Sequence, residues 1–448
     1  MINYHARWVL PIAAPPVRNG TVTVDAGQIV YVGSRADAPP GAERDLRDAV
    51  LLPGLVNTHT HLELTAMRGL LPGLPFVPWI RALTEARAAV LTDSAMLDAA
   101  RWGIVEGLAA GITTYADTCS SGVVLEALID LGVRGVMYQE VFGPSPTQRS
   151  SALDELRRRV EELRARETDL ARVGVSPHAP YTVHEDLLVD AAAYALGAGL
   201  PVAMHLAESE AEIQFLRDAS GPFADGLRAR GIAVVRRSHS PVHLLVELGV
   251  VLARPLLIHC VKVDATDIAF IAEHACPVAH CPTSNAVLGH GIAPLREMLD
   301  AGVVVGLGSD SLASNDRLDI LGEGRHAMLM QRARLTRPDA LTAADAVALA
   351  TIGGARALGL EAGIGTLEVG KAADLAAFSC GGVRETAVDD PWDAVLVAAA
   401  TPARLVTVAG RELVRDGHVL DVDVASLVAR VAESVSSLAT WRRAFTRR

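Results

Sequence analysis

The distribution of apolar positions changes character along the chain. From residue 1 to about 53, short β-type runs, Val22-Thr23-Val24 and Ile29-Val30-Tyr31-Val32, are separated by Asn19-Gly20 and Ala26-Gly27. Such runs punctuated by turn residues predict a small antiparallel sheet. Beyond Gly363 the same texture returns in Asp374-Leu375-Ala376-Ala377-Phe378 and Leu405-Val406-Thr407-Val408, with turn glycines at Gly410 and Gly417. The two ends, residues 1–53 and 365–448, are expected to form one small β-sandwich domain with a closing helix.

Between them, β-type runs alternate with Ala/Leu/Arg-rich amphipathic stretches, which is the pattern of βα units around a parallel sheet. Eight strand candidates fall at residues 55–59, 112–117, 135–141, 173–178, 202–206, 256–259, 277–280 and 303–310. Eight parallel strands with intervening helices predict an α/β fold, a (β/α)8 TIM-type barrel over residues 54–364. Sites in such barrels lie at the C-terminal strand ends. His59, His61, Asp117, Glu140, His178, His205, His259, His280 and Asp310 all fall at or just past such an end. Residues 154–172, rich in both charge signs at helical spacing, read as a solvent-facing helix. Residues 426–448 are amphipathic with an Arg-rich end and are expected to dock on the protein itself rather than on a membrane.

Composition narrows the picture. With 448 residues, half of them hydrophobic, the chain has enough apolar surface for one large core and a smaller accessory one. A formal charge of −11 provides no field to draw a nucleic-acid backbone, so no nucleic-acid partner is expected. The five cysteines are odd in number and lack CxxC spacing, which speaks against a disulfide framework or a structural zinc cluster. The first residues lack the basic and long apolar regions of a signal peptide, and no apolar run is long enough to span a bilayer. A cytoplasmic protein is the expectation.

Side chains two apart on a strand share a face, so His59 and His61 can meet one ion. An isolated His-x-His is weak evidence. It strengthens when His205 ends one strand and Asp310 ends another. Three nitrogens and a carboxylate oxygen suit one divalent metal, Zn²⁺ or Fe²⁺, better than Mg²⁺ or Ca²⁺. Glu208, three residues beyond His205, sits where a carboxylate can take a proton from a metal-activated water. Trp79, after the first strand, is a candidate aromatic wall for a planar heterocycle. Glu140 is a candidate hydrogen-bond partner for a substrate hydroxyl or amine. His239, His243, His274 and His290 lack ligand context and are assigned structural roles.

The stretches PGLVNTHTH (53–61), MHLAE (204–208), HCPTSN (280–285) and GSDS (308–311) resemble the amidohydrolase superfamily, in its branch of cytosine-, guanine- and adenosine-type deaminases and triazine hydrolases. The resemblance runs over nearly the whole chain. It implies a metal held by His59, His61, His205 and Asp310, and Glu208 as proton shuttle. It also implies His259 as the group that polarises nucleophile and substrate, Asp310 as a further proton acceptor, and His178 as a substrate contact. Many members bridge two metals with a carboxylated lysine, but no lysine precedes Lys262 and the fourth strand ends in Ser176-Pro177-His178, so a single metal is expected. The implied reaction is hydrolytic deamination of a small amino-substituted purine-like substrate, by a protein that the resemblance suggests is a homodimer. THLELTA (60–66), PFVPWI (75–80) and SPHAPYTV (176–183) are most similar to the aminodeoxyfutalosine deaminases of menaquinone biosynthesis, with Arg149 then expected to meet the substrate carboxylate. Adenosine, S-adenosylhomocysteine or methylthioadenosine deaminases, triazine-type hydrolases and a non-catalytic scaffold are the alternatives.

Overall fold

The computed structural model describes residues 1–397 and 401–446. The N-terminal region contributes strands β1 (Ile2–Val9), β2 (Val17–Asp25), β3 (Gln28–Ser34), β4 (Ala42–Asp45) and β5 (Ala49–Pro53). The middle contributes β6 (Leu55–Thr60), β7 (Ile112–Cys119), β8 (Arg134–Val141), β9 (Ala171–Pro177), β10 (Ala203–Leu206), β11 (Leu256–His259), β12 (Val278–His280) and β13 (Val305–Leu307). The last are β14 (Leu375–Ser379), β15 (Leu405–Val408), β16 (Arg411–Arg415) and β17 (His418–Val419).

Among the described residues, the strands from the two ends join into one nine-stranded sheet, β17-β16-β15-β14-β5-β1-β2-β3, with β4 beside β1. The ends meet where β14 runs antiparallel to β5, Leu375 opposite Pro53 and Ser379 opposite Ala49. The sheet is mixed rather than purely antiparallel, because β1 pairs in parallel with both β4 and β5. Its pairing is also continuous, because β5 is bonded to β14 on one edge and to β1 on the other, so the sheet is not divided into two separately paired layers. One face buries Tyr4, Val22, Leu51, Leu375 and Leu405 together.

All eight central strands fall where the apolar runs predict them. They form two four-stranded parallel sheets among the described residues, β6 to β9 and β10 to β13. Isolated parallel bridges link the sheets at both junctions, Val175 with Val202 and Thr60 with Asp310. Every residue of β6, β7 and β11 is buried, as expected of strands covered on both faces and read as unbroken runs. The eighth strand is shorter than the expected 303–310. Gly308 leaves it packed so tightly that a Cβ would lie 2.9 Å from Cys281 Sγ and from His59 Cβ, and Asp310 turns out with φ at +58°. The charged helix is Arg149–Arg164, shorter than 154–172 at its end, because β9 takes Ala171 and Arg172 into the sheet.

Two helices position the site. α1 (Phe76–Val90) buries Phe76, Val77, Trp79 and Leu83. α2 (Asp93–Ala109) starts at Thr92, whose Oγ1 accepts the Ala95 N–H at 3.2 Å and satisfies a donor the helix cannot. The C-terminal helix, Val424–Phe445, packs across both, burying Leu427, Val431 and Leu438 in one cluster with Phe76 and Trp79. Arg430 fastens it by a two-pronged pair to Asp98, 2.9 and 3.1 Å. The closing segment therefore docks on α1 and α2, with Val419 of β17 packed against the same cluster. No helix among the described residues is long and apolar enough to cross a membrane.

Candidate metal centre and active site

The C-terminal ends of the central strands converge on a cavity of about 1160 Å³. His59 and His61 come from the end of β6, His205 from β10, His259 from β11 and Asp310 from just past β13. Nitrogens of His59, His61 and His205 lie within 4.8 Å of one another. Asp310 Oδ1 stands 3.2 Å from His59 Nε2 and 3.5 Å from His61 Nε2. All except His61 are buried, and His61 is largely so.

The side chains are aimed by the backbone behind them. His61 donates Nδ1–H to the Thr118 carbonyl at 3.0 Å, and His205 donates Nδ1–H to the His178 carbonyl at 3.2 Å. Each bond fixes the tautomer that leaves Nε2 with its lone pair toward the cluster, the usual support of a metal-bound imidazole. Asp310 Oδ2 accepts from Ser284 Oγ at 2.6 Å and from Ser314 Oγ at 3.2 Å, while Oδ1 accepts from Ser311 N–H. Left-handed backbone at Ala207, His259, Cys260 and Asp310, none of them glycine, stores strain at the strand ends.

Electrostatics favour the ligating states. Burial pushes His59 down to about 4, opposed by Asp310, and pushes His205 well below the ordinary imidazole range, with the neighbouring histidines adding to the effect. These rings are neutral at pH 7, as ligation requires. Burial alone would raise Asp310, but its close contact with His59 and the nearby imidazoles hold it ionised. His59 Nε2 is buried with no hydrogen-bond partner among the described residues, an orphan of the kind a cation satisfies. His59, His61, His205 and Asp310 can hold one divalent cation.

Glu208 follows β10 and is buried. Its Oε1 lies 3.6 Å from His259 Nε2 and 3.2 Å from His290 Nε2. Burial pushes its carboxyl up, yet His259 and His290 outweigh that and leave it below the usual value. Both its backbone N–H and that of Ala207 donate to the buried carboxylate of Glu212, at 2.9 and 3.1 Å. His259 donates Nδ1–H to Asn285 Oδ1 at 2.9 Å, so its Nε2 faces Glu208 and, at 3.9 Å, Asp310 Oδ2.

His178, Trp79 and Glu140 line the cavity. His178 donates Nδ1–H to Thr182 Oγ1 at 2.8 Å, and burial lowers it to about 3, so its other nitrogen is a neutral acceptor. Glu140 has one oxygen buried without a partner, and burial, reinforced by Glu63, lifts it to about 8. Arg149 is a correction: it begins an outer helix and spends its guanidinium on Asp190, at 2.6 and 2.9 Å, exposed and outside the cavity lining. Sequence reasoning missed His290 and Arg87. Arg87 pairs with Glu63 at 3.0 Å on the cavity wall. The signal for it was present, since Trp79, Leu83 and Arg87 are spaced by one helical turn on a single stripe of α1.

Neutral imidazoles, one ionised carboxylate and a second buried carboxylate beside them make up the centre of a metal-dependent hydrolase. The chain belongs to the amidohydrolase family, whose model matches residues 50–408, and it acts on C–N bonds. It is 34% identical over 441 residues to a 5-methylthioadenosine/S-adenosylhomocysteine deaminase of Symbiobacterium thermophilum, covering 96% of this chain and 97% of that one. It is 33% identical over 432 residues to a 5′-deoxyadenosine deaminase of Methanothermobacter thermautotrophicus, covering 94% and 95%. An adenosine deaminase of Xanthomonas campestris solved with bound zinc superposes with a TM-score of 0.87 at 30% identity, covering 98% of both chains. The Helicobacter pylori aminofutalosine deaminase, TM-score 0.80 at 21% identity over 92% of this chain and 100% of that one, shares the fold alone. These relatives match the adenosine-type alternative better than the aminodeoxyfutalosine reading.

Proposed function

We propose that this protein replaces the 6-amino group of a 5′-substituted adenosine, of the methylthioadenosine, S-adenosylhomocysteine or 5′-deoxyadenosine kind, with oxygen, releasing ammonia. The observation that carries the reading is the buried Glu208 carboxylate, set against His259 at the edge of the His59, His61, His205 and Asp310 cluster. The full-length likeness to deaminases of such nucleosides supports the substrate class. So does a cavity of about 1160 Å³, larger than the usual ~300–1,000 Å³ small-molecule site and therefore roomy enough for a 5′ substituent.

One divalent cation, zinc in the Xanthomonas neighbour, fits the four ligands and supplies Lewis acidity that brings the pKa of water toward ~7. The chain's own groups do the rest. Phe76 and Trp79, stacked 6.3 Å apart on the wall, offer an apolar face to the planar base and exclude water from it. The free nitrogen of His178 accepts a hydrogen bond from the substrate and so orients it. Glu208 takes a proton from the attacking water and delivers it to the departing amine. His259 Nε2 steadies the oxygen as it adds, and Asp310 accepts the second proton and returns it to the ring nitrogen beside that carbon, which becomes the N–H of the product. The balance is water in, ammonia out, and a carbonyl where the amine stood. In this reading the two parallel sheets act as one closed (β/α)8 barrel over residues 54–364, and residues 1–53 with 365–448 form the second unit.

The test is ammonia release from the zinc-loaded protein. It is offered adenosine, 5′-methylthioadenosine, S-adenosylhomocysteine, 5′-deoxyadenosine, aminodeoxyfutalosine, cytosine and guanine. Turnover should favour 5′-substituted adenosines. Ammonia from none of the nucleosides sinks the proposal.

A further inference from the structure

Glu208 has a neighbour that the mechanism above leaves idle. His290 is 4% exposed, and its Nε2 lies 3.2 Å from Glu208 Oε1, within ion-pair reach, as a buried nitrogen that makes no hydrogen bond among the described residues. The ring is pinned from the side by Phe76, edge to face with centroids 4.6 Å apart. The backbone fixes it as well. His290 lies between Gly289 and Gly291, at φ +73° and +102°, conformations that L side chains avoid, and its N–H donates to the Asn285 carbonyl at 2.8 Å.

Asn285 thereby serves two imidazoles. Its side-chain oxygen accepts from His259 and its main-chain oxygen from His290, and both rings present Nε2 to the same oxygen of Glu208, at 3.6 and 3.2 Å. A carboxylate flanked at one oxygen by two fixed rings has few rotamers left. Proton transfer depends steeply on such placement, since an error of ~1 Å can cost on the order of 10²-fold. A structural histidine packed for its apolar faces would have no reason to turn a buried nitrogen onto a buried acid.

We infer that His290 is a positioning residue for Glu208, acting jointly with His259 through their common anchor Asn285. The inference rests on the deaminase reading of the site. It assigns a mechanistic role to the loop after β12 and not merely a packing one.

The experiment uses the full-length, zinc-loaded protein and the variants His290→Gln, which keeps a side-chain N–H, and His290→Leu, which does not. With 5′-methylthioadenosine, His290→Leu should lose about 10- to 100-fold in kcat with KM changed less than about threefold, and His290→Gln should recover most of the loss. Wild-type kcat in His290→Leu, or equal losses in the two variants, overturns the role. A second readout needs no turnover: the ¹⁵N-imidazole resonance of His290, assigned by its absence in His290→Gln, should move when Glu208→Gln is introduced. An unmoved resonance overturns the contact, and this arm still decides if His290→Leu fails to fold. If the wild-type protein releases no ammonia, the deaminase reading has failed, whereas the resonance still reports on the His290–Glu208 contact.

Discussion

Glu208 and the four proposed ligands do different work, and substitution should separate them. Glu208→Gln keeps the shape and the imidazole neighbours but cannot take a proton, so bound zinc should stay near wild type while kcat falls by about 10²–10⁴. Metal analysis beside steady-state kinetics checks this, and near-normal turnover would remove Glu208 from the mechanism. His59→Ala should instead lose the metal and the activity together. The convergence of these residues on one site was legible in the sequence because it rests on local rules: His59 and His61 share a strand face, and Glu208 follows His205 by three residues. His290 was not legible, since a lone histidine between glycines announces neither its burial nor the acid it meets, which is 82 positions earlier in the chain. Arg149 misled for the converse reason. The carboxylate that claims it, Asp190, lies 41 residues away on another helix, and nothing local marks the pair.

At the scale of elements, the strand ends depend on close packing and on buried acids behind them. Gly308→Ala would drive a methyl into Cys281 and His59, so it should lower metal affinity more than it lowers the melting temperature of the metal-free protein. Titration with a chelator and thermal melts distinguish the two. Glu323 braces the same loop, accepting from Asn315 Nδ2 at 2.8 Å and from Thr283 N–H at 3.1 Å, and burial lifts it to about 7 despite those bonds. A carboxyl with its folded value raised stabilises the fold at low pH, and that contribution fades as pH climbs from ~4.5 through about 7. Melting temperatures of wild type relative to Glu323→Gln should therefore decline between pH 5 and pH 8; a constant difference would show that Glu323 does not titrate there. The strands were predictable because burial on both faces writes unbroken apolar runs. Their exact ends were not, because Gly308 and the left-handed Asp310 end β13 through tertiary contacts.

For the whole molecule, the cation is a ligand of the folded state only, so removing it should lower the melting temperature, and zinc added back should restore it in proportion to ln(1 + [Zn]/Kd). About one equivalent per chain is expected. Similar strand texture at both chain ends is the sequence signal that they meet, and β14 does pair with β5, yet the docking of the last helix on α1 and α2 was visible only as amphipathicity. That docking has a consequence. The ligands are aimed by carbonyls of neighbouring strands, whereas Phe76 and Trp79 are backed by a helix more than 300 residues further along and by its Arg430–Asp98 clasp. Under the proposed function, ligands and apolar wall thus hang on different scaffolding that meets where Phe76 touches His290, and remodelling the clasped helices would alter substrate choice while leaving the ligands in place.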